Sequence, residues 1–537
     1  MNDLALGAFS DDGPWEVDVD RLSWLPGLDH VRRAVRAEVP ALVRPRRFPP
    51  GGRLAATARH LGVGVAVWAA GKRRKARTPE GRTESVADLS RRLRRAAERL
   101  GPAYIKLGQI ISAGEGVFPE PLVAEFKKCR DQVPPETWAT VRRVVEEDLG
   151  RPLEAVFARF DPEPLAAASI AQVHDARLRT GEDVVVKVQR PQVARLVRED
   201  LAVMAWVAPR LVGRIPVAAL ANPPALVELF AETIAEELDF RLEAENMLDI
   251  ARSLVELGQK AYVVPRPHPD LVTRRVLVME RLSGFAFDDA AGMRAAGLDT
   301  AALVRAGMIG FLEGAMLCGI FHGDLHGGNL FVLPDGRTAL LDFGITGRLD
   351  EFRRRAFLRL LVGATVNDVR GQMAALRDLG TLPPDTDLDA VIADLGLDRP
   401  PIDPTTLTPD ELVAEIQRTV KGLLGYGARM PKELMLFVKN LVFLDGAIAN
   451  LAPDLDLFAE IAHIATHFAV THGARITADV GVDPRTQVLD LAGVKASFGV
   501  DAGLETLTYR DLQERRAIIR ERLAKRDRNS HRRRRSA

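Results

Sequence analysis

Residues 322–344 carry three polar side chains in an order and spacing that few folds can use. The octapeptide HGDLHGGN begins at His322, and the triplet DFG begins at Asp342 after a short apolar segment. Asp324 and Asn329 are five residues apart, and Asp342 lies thirteen residues beyond Asn329. This is the spacing of a kinase catalytic loop followed by its metal-binding turn. It predicts that Asp324 orients an acceptor hydroxyl, while Asn329 and Asp342 bind Mg²⁺ against the phosphates of a nucleotide.

A single lysine, Lys187, interrupts an apolar run that reads VVVKVQ from residue 184. A buried ammonium group is costly unless an anion compensates its charge, so the predicted strand needs an acidic neighbour. In a kinase this lysine contacts the α- and β-phosphates of the nucleotide and a helix glutamate. The alternative is an edge-strand lysine whose ammonium group reaches solvent. With the downstream motifs present, we predict the kinase role.

Carboxylates that could pair with this lysine are concentrated in the helical segment 236–246, which reads EELDFRLEAEN. Asp239 and Glu243 are four residues apart and therefore share one face of a helix. Periodicity does not choose among Glu237, Asp239 and Glu243, and any one of them could instead belong to a solvated acidic face. The sequence predicts a partner in this segment and leaves its identity open.

Residues 166–169 read AAAS at the position where a kinase has its glycine-rich phosphate loop. Alanine lacks the conformational freedom with which glycine lets backbone amides curl around phosphates. Alone, an alanine-rich turn would indicate core packing. Ahead of a buried lysine, it predicts a nucleotide loop that holds its ligand differently from a protein kinase. That loop comprises Ala166, Ala167, Ala168 and Ser169.

Charge is distributed unevenly along the 537-residue chain, although its net charge is only +1. Residues 31–100 contain 19 lysines and arginines against 5 acidic residues, and residues 532–535 are all arginine. The basic region is interpreted either as a contact with an anionic membrane surface or as a solvated helical face. Aromatic residues are scarce there and no binding motif is present, so no nucleic-acid partner is expected.

Cysteine content and hydropathy limit the location of the chain. Two cysteines cannot build a disulfide framework, which fits a reducing, cytoplasmic environment. The apolar stretch 301–321 is interrupted by Arg305 and Glu313, so it predicts a buried core helix that leads into the catalytic loop. We expect no transmembrane helix and at most a peripheral contact with the inner membrane surface.

The remaining pattern predicts an α+β protein. Residues 1–50 look irregular, and residues 54–100 read as helical. Two β-branched runs between residues 150 and 190 flank a turn, which predicts a small antiparallel sheet. Helices follow over about residues 195–258, whereas the proline- and aspartate-rich insert 382–410 predicts an exposed loop.

Together these segments resemble the UbiB family of atypical kinases, the AarF/ADCK-like group associated with coenzyme Q. The resemblance covers roughly residues 95–460. Its first two motifs, K-x-G-Q and the AAAS loop with Gln172-Val173-His174, are absent from ordinary kinases. It rests on the motif K-x-G-Q at residues 106–109, the AAAS loop with Gln172-Val173-His174, Lys187, Glu237-Leu238-Asp239 with Glu243, HGDLHGGN with DFG, and the late segments Pro431 to Leu434 and Leu444 to Gly446.

The resemblance implies a protein-kinase-like bilobal fold with a small antiparallel N-lobe sheet, a mainly helical C-lobe and an added N-terminal helical K-x-G-Q extension. The predicted regions are a basic, irregular to helical N-terminus (1–94), the K-x-G-Q extension (95–150), the N-lobe with a long helical insertion (151–284), the C-lobe (285–475), and a helical and basic C-terminal tail (476–537).

Roles of individual residues follow from the resemblance in the same way. Lys106 and Gln109 belong to a helix that restricts access of protein substrates, and the acidic pair Glu237 and Asp239 contacts that helix. Glu243 pairs with Lys187. The remaining implied roles are Ala166 to Ser169 in the loop over the nucleotide, Glu280 to Leu282 in the adenine hinge, Asn329 and Asp342 as metal ligands, and Asp324 as the catalytic base.

Two departures from the family pattern concern the site. The stretch after the K-x-G-Q helix reads SAGEG from Ser112, without the arginine that the family usually has there. The catalytic loop contains Gly327 where the family usually has proline, which loosens the turn and leaves the ligands intact.

The leading hypothesis is an Mg²⁺-dependent atypical kinase or ATPase that binds ATP or ADP. It acts on, or is gated by, a small lipid-like or phenolic molecule in isoprenoid quinone or lipid metabolism. One alternative is a small-molecule phosphotransferase of the aminoglycoside or choline kinase type, against which the AAAS loop and the K-x-G-Q helix argue. The other is a nucleotide-gated lipid-binding scaffold with negligible phosphoryl transfer.

Overall fold

A computed structural model describes most of the chain. The described residues are 8–45, 47–75, 79–113, 120–128, 133–211, 223–397, 431–497, 500 and 503–519, together with residues 411, 418, 422, 423, 425–428 and 521. The stretch 114–116 after the K-x-G-Q helix, residues 398–410 of the proline-rich insert and the arginine run 532–535 lie outside the described residues.

Helices make up most of the described structure. They are α1 (Leu28–Leu42), α2 (Gly51–Thr57), α3 (Val63–Lys75), α4 (Pro79–Leu100), α5 (Pro102–Ala113), α6 (Glu120–Phe126), α7 (Trp138–Leu149), α8 (Leu153–Val156), α9 (Val193–Leu211), α10 (Pro223–Glu237), α11 (Phe240–Leu257), α12 (Ala290–Ala295), α13 (Thr300–Glu313), α14 (Glu351–Thr365), α15 (Val369–Asp378), α16 (Leu388–Leu395), α17 (Lys432–Leu451), α18 (Leu457–Val480) and α19 (Leu491–Ser497).

Eleven strands are present in the described residues. They are β1 (Phe157–Ala167), β2 (Ala171–Leu178), β3 (Asp183–Gln189), β4 (Tyr262–Val263), β5 (Pro267–Val272), β6 (Val276–Glu280), β7 (Phe285–Ala286), β8 (Ile320–His322), β9 (Leu330–Val332), β10 (Thr338–Leu340) and β11 (Thr346–Arg348). The mixed α and β content and the small antiparallel sheet agree with the predicted fold class.

The chain divides into two compact units. Unit 1 comprises Met1–Arg252, Val264–Leu282 and Asp342–Ile345, and unit 2 comprises Ser253–Val263, Ser283–Leu341 and Thr346–Ala537. Unit 1 contains a five-stranded sheet in the order β1-β2-β3-β6-β5, in which every neighbouring pair is antiparallel. Unit 2 contains a four-stranded sheet, β4-β10-β9-β7, and the antiparallel pair β11-β8.

One face of β3 contributes to the apolar core of unit 1. Val184, Val186 and Val188 project from one face of the strand because side chains alternate between faces. All three are buried in a cluster that also contains Val144 and Val145 of α7. The turn before β3 contains Gly181 at φ +110°, a conformation that favours glycine, and this fixes the β2–β3 register.

Two segments expected to be irregular contain helices. Residues 28–42 form α1, an amphipathic helix with Pro40 in its last turn, where the structure differs from the irregular reading of residues 1–50. Residues 388–395 form α16 within the predicted exposed loop, and Asp387 caps its first turn by accepting hydrogen bonds from the amides of Asp389 and Ala390. In both segments, proline and glycine residues favoured the prediction of a loop, although a short row of apolar residues lies along the helix.

The core helix of unit 2 leads directly to β8, the strand that ends at His322. Asp299 caps α13 by accepting hydrogen bonds from two backbone amides, and a π turn over Gly314–Cys318 follows the helix. Gly319 then adopts the left-handed conformation (φ +68°), which turns the chain into β8. Phe311 of α13 stacks on Phe437 of α17 at 5.2 Å between ring centroids, so these two helices enclose the strand end.

Two helices of unit 2 are long and apolar enough to cross a membrane by length and composition alone. These are residues 300–318 and residues 432–451, in which the apolar 18-residue window is 56% and 39% buried, respectively. The first of them overlaps the stretch 301–321, for which the sequence predicts a buried core helix. A core helix passes the same test, and residues Arg305 and Glu313 of the first helix bind Glu460 and the side chains of α18 within unit 2.

Candidate functional site

Lys187 lies inside the five-stranded sheet of unit 1. Its strand is bordered by β2 on one side and β6 on the other, so the alternative of an edge-strand lysine does not apply. The ammonium group lies 2.7 Å from Oε1 of Glu243 and 3.2 Å from Oδ1 of Asp342. The structure therefore brings three predicted site residues together and selects Glu243 from the acidic candidates as the partner of Lys187.

The pKa values of Lys187, Asp342 and Glu243 depend on burial and on the charges of the neighbouring side chains. Burial opposes a charged lysine, but the carboxylates of Asp342 and Glu243 raise the pKa of Lys187 above its usual value. Burial also disfavours a charged Asp342, yet the nearby Lys187 and Lys106 hold the pKa of Asp342 well below its usual range. Burial raises the pKa of Glu243 to about 7 against the effect of Lys187. Asp342 is thus the carboxylate that stays ionised and available to a cation.

An ion pair connects the K-x-G-Q helix to the acidic segment. Lys106 of α5 lies 3.1 Å from Oε2 of Glu237, and both side chains are largely buried. Asp239 instead binds Arg241, at 3.0 and 2.7 Å from the two guanidinium nitrogens. Among the described residues, the ionic contact with α5 therefore rests on Glu237 and does not extend to Asp239. Gln109 is half-buried on the same helix.

A chain of hydrogen bonds reaches the DFG turn from the N-terminal helix α1. The guanidinium group of Arg32 donates to Oδ1 of Asn246 at 3.0 Å, and Nδ2 of Asn246 donates to the backbone oxygen of Phe343 at 2.8 Å. Arg32 also pairs with Glu236 and Glu245. No sequence motif indicated Arg32, because its partners lie more than 200 residues away in the chain.

The alanine-rich loop is fixed by an arginine that follows β3. Nε of Arg190 donates to the backbone oxygen of Ala168 at 3.0 Å, and its other nitrogens donate to the carbonyl oxygens of Val133 and Pro134. Ala166 and Ala167 end β1, opposite Val173 and Gln172 of β2. Ser169 is fully buried. Two carbonyl groups of the loop are therefore held by hydrogen bonds, because the oxygen of Ala167 also accepts from the Val133 amide at 3.3 Å.

The predicted hinge begins at a buried carboxylate. Glu280 ends β6 and forms an ion pair with Arg266 at 3.2 Å, and it also accepts a hydrogen bond from the Arg266 amide. The side chain of Glu280 is therefore engaged, and its backbone amide also donates to the carbonyl oxygen of Arg266 at 2.9 Å. Leu282 is half-buried at the end of the segment.

The catalytic loop lies in unit 2. Asp324 binds Nζ of Lys439 on α17 through Oδ1, and its backbone amide donates to Nδ1 of His322. Asn329 donates from Nδ2 to the backbone oxygen of Asp324 at 3.0 Å. This bond occupies the amide nitrogen of Asn329 and leaves its Oδ1 as the atom suited to a cation.

Asn440, the residue after Lys439, forms hydrogen bonds with the backbone of the same loop. Asn440 is fully buried, accepts a hydrogen bond from the Leu325 amide at 3.0 Å, and donates to the backbone oxygen of His322. Sequence reasoning identified the segments on either side, Pro431 to Leu434 and Leu444 to Gly446, but missed Lys439 and Asn440. Their position between two family segments on an apolar helix was the available signal.

Glycine at position 327 is compatible with this loop. A Cβ atom added to Gly327 would meet no atom within 4 Å, and its φ is not positive. The backbone therefore does not require glycine here, so the departure from the family proline leaves the Asn329 hydrogen bond to Asp324 in place.

Comparison with known proteins adds a family-level similarity. The model of the ABC1 atypical kinase-like domain matches residues 128–376. The matched range contains the buried lysine, its acidic partners, the catalytic loop and the DFG turn.

Individual proteins are similar over about two thirds of the chain. The uncharacterized protein Rv0647c of Mycobacterium tuberculosis is 40% identical over 372 residues, which cover 67% of this chain and 74% of that protein. A probable protein kinase UbiB of Marinobacter nauticus is 33% identical over 373 residues, 68% of each chain. A solved complex of Rv3197 with erythromycin from M. tuberculosis shows 22% identity and a TM-score of 0.37, covering 64% of this chain and 91% of that one.

Proposed function

Because this chain belongs to the ABC1 family of atypical kinases, which includes the UbiB kinases, we propose that it is an Mg²⁺-dependent phosphotransferase or ATPase that binds ATP or ADP. The observation that carries this proposal is the contact of Lys187 with both Glu243 and Asp342 in unit 1. A lysine held by a helix glutamate is the group that positions nucleotide phosphates in kinases.

The proposed metal ligands have the chemistry that Mg²⁺ prefers. Asn329 offers an amide oxygen, and Asp342 offers a carboxylate whose low pKa keeps it ionised. Mg²⁺ bound by Asn329 and Asp342 would neutralise charge on the nucleotide phosphates. The contact with Lys187 at 3.2 Å keeps the Asp342 carboxylate compensated when no cation is bound.

Asp324 is the proposed base. Its carboxylate would accept a hydrogen bond from an acceptor hydroxyl or from water and orient it for attack. Lys439 contacts this carboxylate, and Asn440 holds the backbone on both sides of it, so the group is fixed before any acceptor arrives. Such positioning is the main contribution a protein makes to phosphoryl transfer.

We infer that the acceptor or effector is a small lipid-like or phenolic molecule, in keeping with a role in isoprenoid quinone or lipid metabolism. The buried Lys106–Glu237 pair supports this because it ties the K-x-G-Q helix to the segment that carries Glu243. A helix held in this way would restrict large protein substrates. Gln109 on the same helix is proposed to share this gating role.

We also propose a peripheral contact with an anionic membrane. On α3, the side chains of Val63, Val65 and Val67 are exposed to solvent, although valine usually lies inside. They precede the basic sequence Lys72-Arg73-Arg74-Lys75. Exposed apolar groups beside basic residues are typical of segments that bind at the surface of an anionic bilayer.

The test is Mg-ATP turnover by the purified full chain, with and without anionic liposomes, with Asp342→Asn as the comparison. The substitution preserves shape and removes the charge that binds the cation, so turnover should vanish while the circular dichroism spectrum is unchanged. Wild-type turnover should rise when liposomes are added.

Two results would overturn parts of the proposal. Hydrolysis of ATP by Asp342→Asn at the wild-type rate would exclude Asp342 as a metal ligand. Tight nucleotide binding without turnover in either condition would indicate a nucleotide-gated scaffold.

A screen of hydroxylated and aminated acceptors, read as phosphorylated product, would identify a phosphotransferase of the aminoglycoside or choline kinase type.

A further inference from the structure

A second group of ligand-type side chains lies in unit 2, apart from the residues proposed above. It consists of Glu313, the last residue of α13, and two histidines of α18, His467 and His472. One oxygen of Glu313, Oε1, lies 2.8 Å from Nε2 of each histidine. The three potential ligand atoms all lie within 4.8 Å of one another.

We propose that Glu313, His467 and His472 bind one divalent transition-metal ion of the zinc type. Two imidazole nitrogens and one carboxylate oxygen are the protein ligands of many zinc sites, with a water in the fourth position. The nitrogen donors favour zinc over Mg²⁺ or Ca²⁺, which prefer oxygen ligands throughout.

Charge supports a cation at this place. The Glu313 side chain is only 3% exposed, and a buried carboxylate needs compensation. Among the described residues no lysine or arginine forms an ion pair with Glu313; its partners are the two histidines and an amide. A divalent cation bound at this place would compensate the charge of the Glu313 carboxylate.

A neighbouring side chain orients Glu313, and the cluster is accessible from solvent. Nε2 of Gln259 donates to the other oxygen of Glu313 at 2.6 Å, which turns Oε1 toward the histidines. Such outer hydrogen bonds orient the ligands of metal sites. The side chain of His467 is 30% exposed, so water and metal can reach the cluster from solvent.

The position suggests a structural role. Glu313 precedes the π turn Gly314–Cys318, and the chain then enters β8 and the catalytic loop. A metal bound here would cross-link the end of α13 to α18 and would hold the helix end that precedes the π turn and β8. The proposal does not depend on nucleotide binding.

The experiment uses the full-length chain after dialysis against a chelator. Zn²⁺ is titrated with detection of bound metal, and Co²⁺ is titrated with detection of its visible absorption, which is intense in tetrahedral coordination. We expect one equivalent of metal, a tetrahedral Co²⁺ spectrum and a rise in the thermal unfolding midpoint with Zn²⁺.

Variants identify the ligands. His467→Asn and His472→Asn should lose the stoichiometric metal and the Co²⁺ spectrum, whereas His463→Asn, on the exposed side of the same helix, should keep both. Gln259→Ala should weaken metal binding by about 10- to 100-fold. Because Gln259 is not a ligand, this variant remains informative if a histidine variant fails to fold.

The proposal is overturned if wild-type protein binds no stoichiometric Zn²⁺, or if the histidine variants bind as tightly as wild type. Either result would leave a purely hydrogen-bonded cluster. Asp342→Asn should retain the zinc, and excess Mg²⁺ should not displace it. Loss of zinc in Asp342→Asn would place the metal at the nucleotide site instead.

Discussion

Nζ of Lys187 lies 2.7 Å from Oε1 of Glu243, and the two side chains are 10% and 3% exposed. The pair joins the central strand of the unit 1 sheet to the first turn of α11. An ion pair this deeply buried depends on both of its charges, so its state of protonation should control the site.

The pair predicts opposite pH dependences for stability and turnover. Because the pKa of Glu243 is raised from 4.5 to about 7, the folded chain holds a proton that the unfolded chain has released between these values. The contribution of Glu243 to the free energy of unfolding therefore falls as pH rises from about 4.5 to about 7. The ion pair forms only after deprotonation, so turnover should increase through about pH 7.

Denaturant unfolding and Mg-ATP turnover, each measured as a function of pH, check this prediction. In Glu243→Gln the pH step in stability over that window should disappear, and the remaining turnover should be lower. A step that persists unchanged in Glu243→Gln would assign the titration to another group.

The Lys106–Glu237 pair predicts a strong effect of removing one charge. Lys106→Met leaves the Glu237 carboxylate buried without this partner at 3.1 Å. Breaking a buried pair in this way destabilises a protein by about 3–5 kcal/mol. Denaturant unfolding of the variant should show a loss of this size.

The double variant Lys106→Met/Glu237→Leu is the matched comparison. Because it removes both buried charges, its stability should return toward that of wild type. Equal losses in the single and double variants would mean that apolar packing of the lysine stem, and not its charge, holds α5.

Spacing along the sequence predicted those parts of the site that lie close together in the chain. The positions of Asp324, Asn329 and Asp342 follow from the kinase motifs, and the β-branched residues around Lys187 predicted its strand. Alternation could not select a partner for Lys187. Glu243 was assigned by family resemblance, and the 2.7 Å contact agrees with that assignment.

Residues that act across long chain separations could not be predicted. Arg32 lies 214 residues before Asn246, and Lys439 lies 115 residues after Asp324. A charged residue on a helix usually faces water, so sequence alone does not reveal that it points at a buried partner. The helix α1 was missed for a related reason, because Pro40 lies inside it.

Lys439 should control turnover through Asp324. Its ammonium group contacts Oδ1 of Asp324, and removing it in Lys439→Met frees the carboxylate to rotate away from an acceptor. A loss of correctly placed general-base catalysis lowers the rate by about 10²-fold or more. We expect kcat to fall while KM for ATP changes little, and Lys439→Arg to restore part of the rate. A rise in KM at unchanged kcat would indicate a contact with nucleotide instead.

The hydrogen bond from Asn246 to Phe343 predicts that the DFG turn depends on a side chain outside the kinase motifs. Asn246 is 2% exposed, and its Nδ2 donates to the Phe343 carbonyl at 2.8 Å. Asn246→Ala removes this donor to the carbonyl, and the loss of such a buried hydrogen bond costs about 1–3 kcal/mol. Because Phe343 follows Asp342 directly, the carboxylate should also be less well fixed, so turnover should fall and the Mg²⁺ concentration needed for half-maximal turnover should rise.

The variant Arg32→Met tests whether the contact between α1 and Asn246 affects the DFG turn. It removes the donor to Oδ1 of Asn246 but leaves the bond to Phe343 possible, so it should destabilise the chain and shift the Mg²⁺ dependence less than Asn246→Ala does. The double variant should show less than the sum of the two single losses, because both act through Asn246. Fully additive losses, together with an unchanged Mg²⁺ dependence in Asn246→Ala, would show that α1 and the DFG turn are stabilised independently.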